Sequence, residues 1–479
     1  MLFNSFAYMF FLPIVFGAYW CVNNKYRWII LVVASYFFYM CSGPRYALII
    51  LAVTITSFFS ALKIENAGGN REKKAILGIS VFACMGALFF FKYFNFFSRS
   101  ASSVFMMLGI EHEPITLNVI LPVGISFYTF QTMSYVIDVY RGTTKAEAHI
   151  GKYAAFVSFF PQLVAGPIER SSNLLPQIHK NHIFNYEQAM YGVKIMLWGY
   201  YKKLVIADVL STYVQKVFDA PQGHAGFSLI LASVFFTLQI YCDFSGYSDI
   251  AIGTAKLFNI DLMTNFRSPY FADSIHDFWS RWHISLSTWF RDYVYIPLGG
   301  NRVGSIRRQV NLLITFLVSG LWHGANWTFV IWGGVHGCAQ IIENILFGRK
   351  KERGRGLGRA MRIAVVFVFC VFAWVFFVSN TIDDAVYVLC HCLDGIGQPI
   401  NYFRSGFVGI GMGVGMLCVI TISVLVMVIY DYISYNKDYI HWISQKGLIF
   451  QWGFYIIIGL MIVFLSKKGV AAEFIYFQF

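Results

Sequence analysis

Charged residues are scarce in this 479-residue sequence: they make up 13% of it, whereas hydrophobic residues make up 57%. The hydrophobic residues recur in long runs from the beginning of the sequence to its end, and no stretch has the composition of a soluble domain. This composition excludes a soluble globular protein and predicts an all-α polytopic membrane protein.

Several common sequence signals are also missing. The nine cysteines form no Cys-x-x-Cys pair and lie mostly in apolar runs, so we expect buried thiols rather than disulfides or metal ligands. The adjacent Cys390, His391 and Cys392 cannot by themselves supply a tetrahedral metal site. Neither a Walker A motif, a GxGxxG motif nor a fixed-period repeat is present, which argues against a machine driven by ATP or NAD. We therefore expect no bound cofactor and no metal.

The net charge of +13 comes from 37 Lys and Arg against 24 Asp and Glu. The basic residues lie in loops between apolar runs, which is typical of cytoplasmic loops rather than of a surface that binds nucleic acid. Basic loops at 25–27, 63–74 and 349–362 are expected to be cytoplasmic, which predicts that both termini lie on the extracytoplasmic side of a plasma (inner) membrane. Residues 1–22 contain no basic n-region and no small-residue cleavage site, so we expect a retained span.

The apolar runs predict a single membrane domain, 1–479, with three segments. An N-terminal segment at 1–97 has four predicted spans, and a C-terminal segment at 362–479 has three. Between them, 115–347 holds most of the polar motifs and is the candidate catalytic core. A polar link is expected at 99–114. The predicted spans lie at about 5–22, 27–42, 46–62, 75–97, 362–379, 407–430 and 448–466.

Polar residues interrupt the apolar runs of the core. Four of them fall along one face of a predicted helix at 121–142: Tyr128, Gln131, Tyr135 and Asp138. That face should contact protein or water rather than lipid. A polar contact between helices and the wall of a reaction chamber are equally good interpretations of this pattern.

Two prolines and a glycine then break the run at 159–170. Broken backbone at membrane depth is tolerated where it is buried in protein or lines a cavity. The next run, at 187–217, contains Lys202 and Lys203, which snorkelling to a membrane interface would explain.

The run at 227–257 contains carboxylates. Gln239, Asp243 and Tyr247 share one helical face, whereas Asp249 does not face Asp243. Both carboxylates need partners, because an unpaired buried charge destabilises a fold. We therefore favour structural or orienting roles for the two acids.

A region rich in Trp, Arg, Asp and Ser comes next. Asp277 and Arg281 have the spacing of an i, i+4 ion pair, and Trp279, His283 and Ser287 form one stripe on a predicted helix. So many polar side chains exclude a lipid-facing span. The pattern predicts an interfacial or re-entrant helix whose stripe lines a cavity.

The most unusual motif is the cluster at 319–327, which sets His323 between two apolar runs. Residues 309–322 would cover only roughly 20 Å as a helix, so the cluster should lie inside the membrane. An ionisable residue there is a candidate functional residue, and half of the twelve Trp fall between 279 and 332. A structural hydrogen-bond donor, a haem or metal ligand, a proton relay and a catalytic base all remain open for this histidine.

Five motifs stand out along the sequence: FFPQLVAGPIER (159–170), YKKLVIAD (201–208), QIYCDFSGYSDIAIG (239–253), FWSRWHISLSTWFRDYVYIPLGGNR (278–302) and SGLWHGANWTFVIWGGVHG (319–337). Together they resemble the membrane-bound O-acyltransferase (MBOAT) family over almost the whole sequence. The motif sequences are most similar to those of a bacterial branch that includes the membrane subunit of alginate O-acetylation, and less similar to those of the branch that transfers D-alanine to teichoic acid.

The resemblance implies a ring of tilted transmembrane helices around a thin central region, with re-entrant segments and funnels from both faces. His323 matches the catalytic histidine of the family, and His283 matches its second active-site position. In that role His323 would be a general base, because an ordinary histidine pKa is about 6.5. The other candidates for the substrate pocket are Trp279, Trp282, Ser287, Arg291, Asp292, Trp322, Asn326 and Asp243.

The implied reaction transfers an acyl group, expected to be acetyl, from a cytoplasmic thioester such as acetyl-CoA to a hydroxyl on the outer side. The expected partners are an exported acetyltransferase or a small membrane peptide as acyl acceptor, and a polysaccharide such as alginate, cellulose or peptidoglycan as final acceptor. Alternatives are D-alanyl transfer, lipid O-acylation by the same fold, and a transporter, whose path polar helix faces would also line.

Overall fold

The computed structural model describes residues 1–164, 166–348, 356–435, 437–466 and 474–475. Every regular element in these ranges is helical, which confirms the all-α prediction. Residues 349–355 of the predicted basic loop at 349–362 lie outside the described residues, and so does most of the C-terminal tail. The described part contains six helices that are long and apolar enough to cross a membrane, as a multi-pass membrane protein requires. They are Pro44–Asn66, Asn70–Met107, Phe227–Leu257, Leu357–Val378, Val414–Ser434 and Leu448–Leu465.

The described residues form two compact units. The first comprises Met1–Val193 and Ala251–Met263, and the second comprises Lys194–Ile250 and Thr264–Phe479. All of the candidate site residues belong to the second unit. The division of the sequence at 1–97, 115–347 and 362–479 stays a prediction, as does the ring of helices with its funnels.

The first unit contains nine α-helices and the beginning of a tenth. They are α1 (Phe6–Cys21), α2 (Arg27–Met40), α3 (Ala47–Asn66), α4 (Asn70–Leu88), α5 (Phe94–Met107), α6 (Ile125–Arg141), α7 (Ile150–Ser158), α8 (Phe160–Leu163), α9 (Ser171–His179) and α10 (Tyr186–Tyr200).

Helices α1 to α4 correspond to the four predicted N-terminal spans. Helices α1 and α2 have 16 and 14 residues, fewer than the roughly 20 that cross a bilayer. Helix α4 continues through a π-helical turn, Phe89–Tyr93, into α5. The predicted polar link is therefore helical as far as Met107, and the prediction is wrong there. Arg and Ser are tolerated within a helix, and the Ser103 hydroxyl donates to Arg99 O at 3.0 Å inside this one.

The polar face of α6 packs inside the first unit. Gln131 Nε2 donates to Phe156 O at 2.9 Å, and the Tyr135 hydroxyl accepts from Glu147 N at 2.7 Å. Both side chains are thereby used in contacts between segments of the fold. For these two residues the structure favours the polar packing contact over the wall of a reaction chamber.

The second unit contains the end of α10 and twelve further helices, of which α12 ends in the first unit. They are α11 (Asp208–Phe218), α12 (Phe227–Leu257), α13 (Ile275–Arg281), α14 (Ile284–Phe290), α15 (Ser305–His323), α16 (Trp327–Phe347), α17 (Leu357–Val378), α18 (Ile382–His391), α19 (Pro399–Gly409), α20 (Val414–Ser434), α21 (Tyr439–Ser444) and α22 (Leu448–Leu465).

Lys202 and Lys203 lie in a π-helical turn, Tyr201–Ala207, and are buried, so the snorkelling prediction is wrong. Lys202 Nζ lies 2.7 Å from Asp249 Oδ2 and 2.9 Å from Ser245 Oγ. Lys203 Nζ lies 2.9 Å from a carboxylate oxygen of Asp208 and 2.7 Å from one of Asp243. The lysines are buried because the carboxylates of α12 neutralise them, which confirms that Asp243 and Asp249 need partners.

Helices α15 and α16 form a tight hairpin that carries the cluster at 319–327 in its turn. Helix α15 begins at Ser305, before the two arginines at 307 and 308, and has 19 residues. Residues 309–322 form one continuous part of this helix and cover roughly 20 Å of it. The depth of the cluster in the membrane stays a prediction. A Cβ atom at Gly320 would overlap Phe329 O, and one at Gly333 would overlap Phe316 O. Only glycine therefore allows the two backbones to approach this closely.

Candidate active site

His283 lies in a turn between two helices rather than within one. Helices α13 and α14 have seven residues each, and His283 has the left-handed values φ 43° and ψ 55°. A non-glycine residue seldom adopts this conformation, because its Cβ crowds the backbone. The prediction of one continuous helical stripe through Trp279, His283 and Ser287 is therefore wrong. The predicted ion pair between Asp277 and Arg281 is confirmed at 3.0 Å.

His323 is the last residue of α15. Gly324 follows it in extended conformation, and Asn326 caps the next helix by accepting a hydrogen bond from Thr328 N at 3.2 Å. The amide nitrogen of Asn326 donates to Asn380 O at 2.8 Å. Asn326 thus holds the hairpin turn directly after the histidine.

The structure brings the two histidines together. Their ring centroids lie 6.4 Å apart, and both side chains are buried, with exposed fractions of 1% for His283 and 3% for His323. The ring centroid of Trp322 lies 6.3 Å from that of His283 and 5.0 Å from that of His323. The two histidines are therefore neighbours in the fold, and their roles in a shared site stay a prediction.

Aromatic rings surround both imidazoles. The ring centroid of Phe244 is 4.6 Å from that of His283, and those of Trp332 and Phe377 are 5.1 and 5.5 Å from that of His323. Such walls exclude water and disfavour charge. Burial lowers the pKa of His283, which lies outside the six spanning helices, to about 3. His283 is therefore neutral at physiological pH.

A third buried histidine belongs to the same aromatic cluster. His336 Nδ1 accepts a hydrogen bond from Trp279 Nε1 at 3.2 Å, and the ring centroid of Trp332 lies 5.1 Å from that of His336. No role was predicted for His336 from the sequence. Its spacing of four residues from Trp332 on one helix was the available signal.

A cavity of about 950 Å³ lies in the second unit. Neither His283 nor His323 is among the residues that line it. Helices α13 to α16 supply most of its walls, and Ser287 and Ser319 in its lining lie one helical turn from His283 and His323. Of the predicted pocket residues, three line this cavity: Trp279, Ser287 and Arg291. Several polar residues that were not predicted from the sequence also line the cavity: His276, Arg308, Gln309, Ser319, Gln340, Glu343 and Asn344.

The other predicted pocket residues occupy supporting positions. Trp282 is buried against Trp374, with ring centroids 5.0 Å apart. Asp292 pairs with Arg291 at 2.8 Å. Asp243 binds Lys203 and accepts from the backbone N–H of Ile475 at 2.9 Å. Among the described residues, no cluster of three His, Cys, Asp or Glu side chains is arranged to hold a metal ion.

The fold and the site define a multi-pass helical membrane protein with two buried histidines side by side. Comparison with known proteins gives its family. Residues 146–382 match the family model of MBOAT, the membrane-bound O-acyltransferase family. Both histidines lie within that range.

The chain is also similar in sequence to several named proteins. The chain is 40% identical over 390 residues to a probable alginate O-acetylase, AlgI, of Pseudomonas syringae pv. tomato, covering 80% of this chain and 74% of that protein. It is 36% identical over 421 residues to a peptidoglycan O-acetyltransferase of Helicobacter pylori, covering 81% and 79%. It is 30% identical over 275 residues to a teichoic acid D-alanyltransferase of Streptococcus thermophilus, covering 53% and 65%.

The chain belongs to the MBOAT family and is a membrane-bound O-acyltransferase. The resemblance noted from its motifs is thereby confirmed.

Proposed function

We propose that this protein transfers an acetyl group from a cytoplasmic thioester, acetyl-CoA in the first instance, to a hydroxyl on the extracytoplasmic side of the plasma membrane. The observation that carries the proposal is the buried pair of His283 and His323, whose ring centroids lie 6.4 Å apart. Ser287 and Ser319, four residues from them along the chain, line a cavity of about 950 Å³. The names of the relatives, an alginate O-acetylase and a peptidoglycan O-acetyltransferase, support an acetyl group and a polysaccharide as final acceptor.

The cavity is the proposed donor site. Its volume is within the range of pockets that hold cofactor-sized molecules, about 300–1,000 Å³. Arg291 and Arg308 line it and would attract the phosphates of a coenzyme. Arg308 and Gly348, also in the lining, flank the basic loops that the positive-inside rule assigns to the cytoplasm. This side of the cavity is therefore the proposed entrance for the donor.

His323 is the proposed general base. Its imidazole takes the proton of the acceptor hydroxyl as the oxygen attacks the thioester carbonyl carbon. The carbon–sulfur bond then breaks, the acetyl group stays on the acceptor oxygen, and the leaving thiolate takes the proton from the imidazolium. Each turnover thus returns His323 to its neutral form.

His283 has a different proposed role. With its pKa near 3, its imidazole does not take up a proton during turnover at neutral pH. A neutral imidazole can still donate one hydrogen bond, and a donor aimed at the developing oxyanion lowers the barrier to acyl transfer. Asn326 supports His323 instead, because both ends of its amide already bond to the hairpin and to Asn380 O.

The acyl acceptor at the outer side is proposed to be an exported acetyltransferase or a small membrane peptide, which passes the group to the polysaccharide. Both termini are proposed to be extracytoplasmic. The support for this orientation is the placement of the basic loops between the apolar runs.

The test follows label from [acetyl-¹⁴C]acetyl-CoA in membranes that contain equal amounts of wild type, His323→Ala or His283→Ala. His441→Ala, an exposed histidine in α21, is the matched control. We expect wild type and the control to label a protein or glycan fraction, and His323→Ala to lower the rate by about 10²–10⁴-fold.

Each alternative acyl transfer has its own outcome in this test. Equal labelling by wild type and His323→Ala would contradict the assigned base. Label in the lipid fraction would indicate lipid O-acylation, and transfer of D-[¹⁴C]alanine without transfer of acetyl would indicate D-alanylation.

A further inference from the structure

The left-handed turn at His283 is held by a neighbouring segment, residues 265–267. Asn265 O accepts from Ile284 N at 2.9 Å, on the C-terminal side of the histidine. On its N-terminal side, Arg267 N donates to Arg281 O at 3.0 Å. Two backbone hydrogen bonds therefore hold the turn from both sides.

The side chain of Asn265 adds contacts to the same turn. Its Oδ1 atom accepts from the Ser285 hydroxyl at 2.6 Å and from Ser285 N at 3.4 Å. Its Nδ2 atom donates to the Ser248 hydroxyl on α12 at 3.2 Å. Asn265 is completely buried, as is Ser285. One buried amide thus links α12 to the residues that follow His283.

The position of the His283 imidazole depends on this turn. In a continuous helix, Trp279 and His283 would lie on one face, one turn apart. The turn separates them: Trp279 bonds to His336, whereas the His283 ring lies 6.4 Å from that of His323. A left-handed conformation is unfavourable for a residue with a Cβ and persists where surrounding contacts hold it. Asn265 supplies such contacts.

We propose that Asn265 is a positioning residue for acyl transfer: by holding the left-handed turn, it fixes the His283 imidazole beside His323. This inference rests on the proposed role of His283 in the reaction. A displacement of about 1 Å at a reacting group can reduce a rate by about 100-fold, so the turn matters even though Asn265 does not contact the imidazole in the hydrogen bonds described.

The first test measures the maximal rate and the KM for [acetyl-¹⁴C]acetyl-CoA in membranes with equal amounts of each variant. Asn265→Leu keeps the approximate volume of the side chain but removes its hydrogen bonds. We expect its maximal rate to fall by about 100-fold with little change in KM. Asn311→Leu is the control, because Asn311 is equally buried and donates to Leu298 O at 3.0 Å, away from the turn.

A wild-type maximal rate for Asn265→Leu, or an equal fall for the control, would overturn the proposal. If Asn265→Leu fails to accumulate, Ser285→Ala carries the test, because it removes the 2.6 Å bond and keeps the backbone bonds. We expect a smaller fall in its maximal rate, and a wild-type rate would overturn the proposal.

The second test asks whether Asn265 acts through His283. In a His283→Ala background, Asn265→Leu should cause no further loss of rate, because the imidazole that it positions is already absent. A further loss by the same factor as in wild type would show that Asn265 acts elsewhere, and the proposal would fall.

The third measurement does not depend on the donor. An experimental structure of Asn265→Leu should show a separation of the His283 and His323 ring centroids greater than 6.4 Å. If His283→Ala is as active as wild type, the proposed role of His283 is wrong, and this structure alone decides whether Asn265 holds the turn. An unchanged separation and an unchanged φ at His283 would overturn the inference.

Discussion

The imidazole rings of His283 and His323 lie 6.4 Å apart between centroids, although one belongs to a turn and the other to the end of a helix. In the proposed reaction, one substrate would contact both rings. The two histidines differ in their local support, because His283 depends on a left-handed turn and His323 on a hairpin. Their proposed roles also differ: His283 is the proposed hydrogen-bond donor and His323 the proposed general base.

The low pKa of His283 predicts how stability depends on pH. In the unfolded chain a histidine has a pKa of about 6.5, whereas burial lowers that of folded His283 to about 3. Below pH 6.5 the unfolded state therefore binds a proton that the folded state does not, and stability falls as the pH decreases from 6.5 towards 3. At pH 5 the resulting loss in the free energy of unfolding is about 2 kcal/mol.

His283→Asn removes that titration, and asparagine tolerates a left-handed conformation. We expect its free energy of unfolding in detergent to fall less between pH 7.5 and 5 than that of wild type. Parallel curves for the two proteins would contradict the assigned pKa direction. His441→Asn, at an exposed position, is the control.

Much of this site could be predicted from the sequence, because its parts are local motifs. The Asp277–Arg281 pair depends only on helical spacing, and His323 stands out as an ionisable residue between apolar runs. The break at His283 could not be predicted, because the hydrogen bonds that hold it come from Asn265 and its neighbours in a separate segment. Periodicity alone favours a continuous helix there.

The proposed donor site predicts a contribution of Arg308 to donor binding. Arg308→Gln should raise the KM for acetyl-CoA by about two- to five-fold, because a partly exposed charge contributes up to about 1 kcal/mol. The effect should weaken as ionic strength increases, since salt screens exposed charges. The exposed neighbour Arg307 gives the matched control, Arg307→Gln. Equal KM values for the two variants would contradict the placement of the donor beside Arg308.

The fold shows a similar division between what is local and what is not. Helix type and approximate span positions followed from the lengths of the apolar runs, as α20 and α22 show. The burial of Lys202 and Lys203 did not follow, because their partners on α12 come from a different part of the sequence. A lysine within an apolar run is compatible with snorkelling and with a buried ion pair, and the partner decides between them.

Removal of Lys203 is predicted to be severely destabilising. Lys203→Met takes away a cation that lies 2.9 Å from Asp208 and 2.7 Å from Asp243, and both carboxylates remain buried. Breaking such a buried pair costs about 3–5 kcal/mol. We expect a large fall in the midpoint temperature of thermal unfolding, measured in detergent.

The control for Lys203 is Lys256→Met, which removes a pair with Asp261 at 2.6 Å, where Asp261 is 63% exposed. Water can replace that partner, so the change should stay within about 1 kcal/mol. Equal losses for the two variants would show that burial is not what makes the Lys203 pairs important.

The last prediction concerns the close approach of α15 and α16 in their hairpin. A Cβ atom at Gly333 would overlap Phe316 O, and the backbone atom cannot move aside as a flexible side chain could. Gly333→Ala should therefore force the helices apart and destabilise the protein by about 1–3 kcal/mol. Because His323 ends α15, we also expect lower acetyl transfer per molecule of folded protein.

The adjacent Gly334 provides a matched control for Gly333. A Cβ atom there would lie 3.5 Å from a side-chain atom of Leu317, which is an ordinary contact distance. Alanine is also favoured over glycine inside a helix, by about 1 kcal/mol. Gly334→Ala should thus retain wild-type stability and activity, or gain slightly in stability. If thermal unfolding and transfer rates instead showed Gly333→Ala to be equally well tolerated, the close approach of the two helices would not be what positions His323.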